Sequence, residues 1–309
     1  MMDLEKTILY SLQHEVSIHK RISGKSLEAL RNFISSLVNF LPVRDKVRDF
    51  LVKLDNYVIT QNEIRGVNFS KKIFEFNQSD IMISNQHPWI GCLGSKTWLR
   101  GYPCGLWTMF HTMTVHGPSK PFKNTVLQSI HGYVKYFFGC SECSDHFQKM
   151  YSNDSAELVK SKDESILWLW RAHNKVNKRL RHAKTEDPIH IKEQFPNKHK
   201  CSKCWKNGKF NEQSVLNYLK VHYAKQNIIY KGIATQEKNP YENIDKQKNK
   251  QNPHSLRSMS NTWIFNKTDI SLCVFLYALS TIIVIVVYFV VVIRRRRKKR
   301  LFMLSHKIV

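Results

Sequence analysis

The stretch ISLCVFLYALSTIIVIVVYFVVVI, residues 270–293, runs for 24 residues without a charge. At about 1.5 Å per residue a helix of that length crosses a hydrocarbon core about 30 Å thick. RRRRKKR follows at once. Positive charge flanks membrane spans on the cytoplasmic side, which puts residues 1–269 on the opposite side. A buried core helix would not be uncharged and β-branched all round beside seven basic residues, and the same position disfavours a nuclear-localisation reading of the basic run. The expected plan is a single C-terminal transmembrane helix at 270–293 and a basic cytoplasmic tail at 294–309.

An exported body accounts for other features. Four glycosylation sequons open at Asn68, Asn77, Asn153 and Asn266. The amino end, MMDLEKTILYSLQHEV, has early acids and no apolar signal segment. The chain is therefore expected to be a fragment lacking its amino end, unless the anchor itself directs insertion. The formal charge is +25, and leaving out Arg294–Arg300 and Lys307 still leaves +17. A body that basic suits anionic partners, but lysines dispersed over helical faces are more often solvated surface, and no nucleic-acid partner is expected.

Apolar residues recur at helical spacing. Leu4, Ile8, Leu12 and Val16 mark a helix over 3–19, and Leu27, Leu30, Ile34, Leu37 and Leu41 a second over 26–41 that Pro42 stops. A third spans 43–59, residues 60–98 read as looser, and helices follow near 103–116, 125–138, 141–151, 163–182 and 213–224. Asp163 is the expected N-cap of the helix at 163–182. Strand-like alternation is scarce. The polar run 226–262 reads as flexible stalk.

Six of the seven cysteines form three local pairs: Cys92 with Cys104, Cys140 with Cys143 (CSEC), and Cys201 with Cys204 (CSKC). An even number on an exported side points to disulfides. Cys273, inside the apolar run, reads as packing. No metal is expected: 57 residues separate Cys143 from Cys201, where zinc ribbons use about 15–20. Cys92–Cys104 reads as a structural brace, and Cys201–Cys204 stays open between staple and redox pair. Cys140–Cys143 opens a helix, whose positive end lowers a thiol's pKa and favours the thiolate that attacks disulfides.

Three helices carry unusual stripes. His146 lies three residues after Cys143; Trp107 and His111 are four apart; Trp170, His173, Asn174 and Asn177 share one face. Buried Trp, His and Asn need polar partners, which one large planar ligand would supply. Partly exposed polar faces explain the same spacing, which leaves both readings open.

GYPCGLWTMFHTMTV, GYVKYFFGCSECSDHF, WLWRAHNKVNKRL and FPNKHKCSKCW, in that order, resemble the flavin-dependent sulfhydryl oxidase (Erv/ALR) domain found in quiescin sulfhydryl oxidases. The resemblance covers about residues 84–225; residues 1–83 more loosely resemble the helix-rich region preceding that domain. It implies an all-α fold, a four-helix bundle plus an extra helix holding FAD, then a stalk at 226–269 and the anchor. Cys143 would be the flavin-facing thiol and Cys140 its partner, with Cys201–Cys204 the distal bridge. Contacts to FAD would come from Arg100, Trp107, His111, Glu142, His146, the run Trp170, Arg171, Ala172, His173, Asn174, Lys175, Val176 and Asn177, and from Lys192 and Phe195, the last standing where the family commonly has tryptophan. Implied partners are small dithiols, reduced protein thiols and O2. The helix-rich region resembles a degenerate partner half, so the chain is expected to be monomeric. Implied localisation is the secretory pathway, Golgi or cell surface, with the catalytic part luminal or extracellular and some of it secreted. No cysteine precedes Cys92, and the family's thioredoxin-like domains would lie before Met1, so this chain is expected to favour small dithiols over proteins. The competing expectation is a non-catalytic, disulfide-braced, membrane-anchored binding module.

Overall fold

The structure is a computed structural model and describes residues 1–77, 88–119 and 126–229, all within one compact unit spanning Met1–Ile244. The span at 270–293, the tail, Asn266, Cys273 and all of the stalk beyond 229 lie outside the described residues. Among the described residues no helix is long and apolar enough to cross a membrane.

The protein is mostly helical. Helix α1 is Met2–Tyr10, followed by a wider π turn at Ser11–Val16; α2 is Gly24–Phe40, α3 Asp45–Thr60 and α4 Gly66–Phe76. Then come α5, Gly101–His116; α6, Val126–Tyr136; α7, Ser141–Asn153; α8, Lys162–Leu180; and α9, Glu212–His222. Two short antiparallel pairs accompany them. Strand β1, Ile22–Ser23, pairs β2, Glu63–Ile64, with Ile22 opposite Ile64; β3, Trp205–Lys206, pairs β4, Lys209–Phe210.

Four expectations need correction. Residues 60–98 contain α4, whose Phe69 and Ile73 are buried four residues apart. The helix over 3–19 is not uniform, because Ser17 N–H reaches back five residues to the Leu12 carbonyl. The N-cap of α8 is Ser161, not Asp163: Ser161 Oγ accepts from Glu164 N at 3.1 Å and Glu164 Oε2 accepts from Ser161 N at 3.3 Å. That reciprocal arrangement satisfies two end donors at once, while Asp163 pairs with Lys220 on α9 at 2.7 Å. The folded backbone also continues past the expected start of the stalk, with a 3-10 turn at Lys225–Asn227 and Ile228 packed on the core.

One apolar core runs from Leu4 to Ala172 and draws on both the helix-rich region and the expected oxidase domain. Its middle is the α2–α6 crossing. Phe33 stacks on Tyr133 at 4.1 Å, and the two serines Ser36 and Ser129 share a buried hydrogen bond of 2.7 Å. Gly132 lets the helices approach; a Cβ there would stand 3.0 Å from that of Ala29. A smaller cluster, Val115, Ile166, Trp170, Cys204, Val215, Leu216 and Leu219, seats α9 on α8 and α5. The sequons at Asn68 and Asn153 are exposed.

Candidate active site

Three disulfides join the pairs read from the sequence: Cys92–Cys104, Cys140–Cys143 and Cys201–Cys204. Cys140 is the N-cap of α7, and its Sγ accepts from Cys143 N at 3.3 Å. The CSEC turn thus sits on a helix N-terminus, where backbone N–H groups and the macrodipole favour negative sulfur. Both cysteines keep intermediate exposure, so an incoming thiol can reach them.

One helical turn on, Phe147 packs against Trp107 of α5 with ring centroids 6.4 Å apart. Trp107 lies parallel to His173 of α8, 4.1 Å between centroids and 3° between planes. His173 Nδ1 is 3.0 Å from His111 Nε2, and the far face of His111 stacks on Tyr223 at 5.1 Å. A chain of rings therefore leads from the CSEC helix across α5 and α8 to the end of α9.

The cluster is electrostatically neutral. Burial, with the Lys192 ammonium nearby, pushes His173 down to about 3. Burial together with His173 and His222 holds His111 well below its ordinary value. Two neutral imidazoles offer one donor and one acceptor each. They share one hydrogen bond, which leaves His111 Nδ1 buried without a hydrogen-bond partner among the described residues.

Farther along α8, Asn174 Nδ2 donates to the Phe195 carbonyl and its Oδ1 accepts from Phe195 N, both at 2.8 Å, and Trp170 Nε1 donates to the same carbonyl. Asn177 reaches the Glu193 carbonyl at 3.0 Å. The 193–195 segment is thereby bound to the stripe, with Lys200 over the Phe195 ring at 5.3 Å. Glu142 stands 3.7 Å from both His146 and Arg179.

The structure thus brings together Trp107, His111, His173, Trp170, Asn174, Asn177 and Phe195, with Lys192 close enough to His173 to lower its pKa; His146 and Glu142 lie on the CSEC helix beside them. Five expected contacts are not drawn into the ring cluster. Arg171 forms a bidentate pair with Glu212 and Lys175 pairs with Asp154, both on the side of α8 turned away from the stripe. Arg100 donates to the Leu93 and Gly91 carbonyls, bracing the Cys92–Cys104 loop. Ala172 is buried and Val176 half-buried as packing residues. Phe147 and Tyr223 belong to the cluster although neither was picked out for it; Phe147's place four residues after Cys143 was the available signal, while Tyr223 had none.

A helical protein with an accessible CxxC at a helix start, on a helix whose Phe147 joins a neutral stack of aromatic and imidazole rings, is by class a thiol–disulfide protein. Residues 104–196 match the Erv1 / Alr family, and residues 1–95 match the flavin adenine dinucleotide (FAD)-dependent sulfhydryl oxidase family. Sulfhydryl oxidase 1 of Gallus gallus is 37% identical over 238 residues, 73% of this chain and 32% of that protein; Sulfhydryl oxidase 2 of Homo sapiens is 37% identical over 250 residues, 74% and 35%. The solved sulfhydryl oxidase fragment of human QSOX1 superposes with a TM-score of 0.69 at 34% identity, covering 74% of this chain and 97% of the fragment. The chain belongs to the FAD-dependent sulfhydryl oxidase family, and FAD is that family's cofactor. It spans about a third of the length of the curated relatives it matches.

The residues present fit FAD. His111 Nδ1, buried with no hydrogen-bond partner among the described residues, could take a polar contact, and the neutral rings, with the Lys192 ammonium near His173, would suit a planar heterocycle bearing negative charge.

Proposed function

We propose that the chain is a thiol oxidase that converts dithiols to disulfides and reduces O2 to H2O2. The observation that carries this reading is the ring path from Phe147, one helical turn after Cys143 on α7, through Trp107 to His173. A substrate thiolate attacks Cys140 Sγ, the Cys140–Cys143 bond breaks, and Cys143 leaves as a thiolate stabilised by the α7 N-terminus. The second substrate thiolate attacks the mixed disulfide, the oxidised substrate departs, and Cys140 is freed as thiolate. FAD, when bound, accepts two electrons from the reduced pair and delivers them to O2. Trp107, His111, His173 and Asn174 would hold it, while Phe147 and Tyr223 exclude water around it. Helices α5–α8 would form the four-helix bundle, with α9 the extra helix.

Small dithiols and reduced protein thiols are the proposed substrates. A monomer suits the core that α1–α4 share with α5–α8. The uncharged run at 270–293, the basic run after it and the sequons support a single-pass protein of the secretory pathway, Golgi or cell surface, with its oxidase part luminal or extracellular. Purified protein should be yellow and consume oxygen with dithiothreitol. A folded but colourless and inert preparation would favour the non-catalytic binding module.

A further inference from the structure

Helix α1 ends in a π turn, and this wider turn carries Glu15. The side chain is buried, and among the described residues it forms no ion pair. Burying a carboxylate without a cation is costly, and such groups persist where their hydrogen bonds compensate. Glu15 Oε2 accepts from Gly139 N–H at 2.5 Å, across 124 residues of sequence. Gly139 immediately precedes Cys140. Its missing side chain matters here: a Cβ would stand 3.0 Å from Oε2.

Besides the ion pair of Glu142 with Arg179 of α8 at 3.7 Å, the CSEC turn is tied to its surroundings by Ser144 Oγ, which donates to the Val134 carbonyl of α6 at 2.9 Å. It fixes the helix side of the turn, while Glu15 fixes the chain entering it. Tyr10, Tyr102 and Tyr133 lie close enough to the acid for its charge to help raise their hydroxyls above the ordinary value, and they supply no positive charge.

We infer that Glu15 is a positioning residue for the Cys140–Cys143 pair: its charge-assisted hydrogen bond to Gly139 N–H sets the backbone from which Cys140 presents its sulfur to an incoming thiolate. Charge-assisted bonds are about twice as strong as neutral ones, which explains an acid where an amide would also reach. The inference rests on the thiol-oxidase reading for the use of the pair, though not for its geometry.

The test is the rate at which dithiothreitol reduces Cys140–Cys143 without oxygen, followed by thiol trapping and mass mapping. Glu15→Ala and Gly139→Ala should each slow that step about tenfold, with unchanged rates at Cys92–Cys104. Glu15→Gln should retain rates within about threefold of parental. The double variant should be no slower than the slower single, because both remove one contact. Additive effects, or a Glu15→Ala rate within twofold of parental, would overturn the inference. Should Glu15→Ala not fold, Gly139→Ala and Glu15→Gln decide it, with parental rates in Gly139→Ala counting against. Flavin content and oxygen uptake of the parental protein, measured in parallel, judge the oxidase reading separately.

Discussion

Trp107 and His173 face each other as plates from two different helices, their ring centroids 4.1 Å apart and their planes 3° from parallel. Neither ring is held by the apolar core alone; Phe147 flanks one and His111 the other. Trp107→Ala should therefore loosen a ligand seat more than the fold. Aromatic pairs contribute about 0.5–1.5 kcal/mol beyond their buried area. The expected outcome is at least a tenfold weaker hold on FAD with a melting temperature close to parental, read from the flavin-to-protein absorbance ratio after gel filtration. Parental flavin content would remove Trp107 from the site.

Cys143→Ser separates chemistry from binding. It should abolish oxygen uptake with dithiothreitol while the protein stays yellow, since serine preserves the helix start. Turnover at the parental rate would show that another cysteine carries the reaction.

His173 is held at about 3 when folded, against an ordinary value near 6.5. The unfolded chain binds the extra proton between those values, so this group's contribution to stability is present above about pH 6.5 and is lost as pH falls toward 3. His111 is depressed in the same direction. Urea midpoints should fall more steeply from pH 7 to 4.5 in the parental protein than in His173→Phe, which keeps a ring and loses the titration. Equal or opposite slopes would show that the imidazole is protonated in the fold.

Gly132 sets the closeness of α2 and α6. Gly132→Val should cost about 1–3 kcal/mol through overpacking against Ala29, and Ala29→Gly should recover part of it. Chemical denaturation of both single variants and the double reads this directly. Additive losses would mean that the two residues do not share the contact.

Much of this was legible in the sequence because it is local. Apolar spacing marked α1 and α2, and the CxxC pairs are disulfides as expected. Helix α4 escaped because only Phe69 and Ile73 anchor it centrally, while Val67 and Phe74 face solvent. The π turn escaped because Leu12 and Val16 keep the spacing of an ordinary helix. At the site, the stripe on α8 was visible from its period, whereas Arg171 and Lys175 entered with a contiguous motif and point to surface partners. Tyr223 and Glu15 meet their partners across 112 and 124 residues, separations at which no periodic pattern carries information.

The first helix and its π turn reach two cysteine loops at once. Asp3 accepts from Ile90 N at 2.7 Å and Cys92 N at 2.9 Å, and Glu15 holds Gly139 at the other end. Gene rearrangement that joined residues 88–229 to a foreign leader would leave both loops without their carboxylates and bare the faces of α5 and α6. The opening segment through Val16 and the cysteine-bearing helices are thus a single heritable piece, and a workable recombination breakpoint lies before α1 rather than after α4.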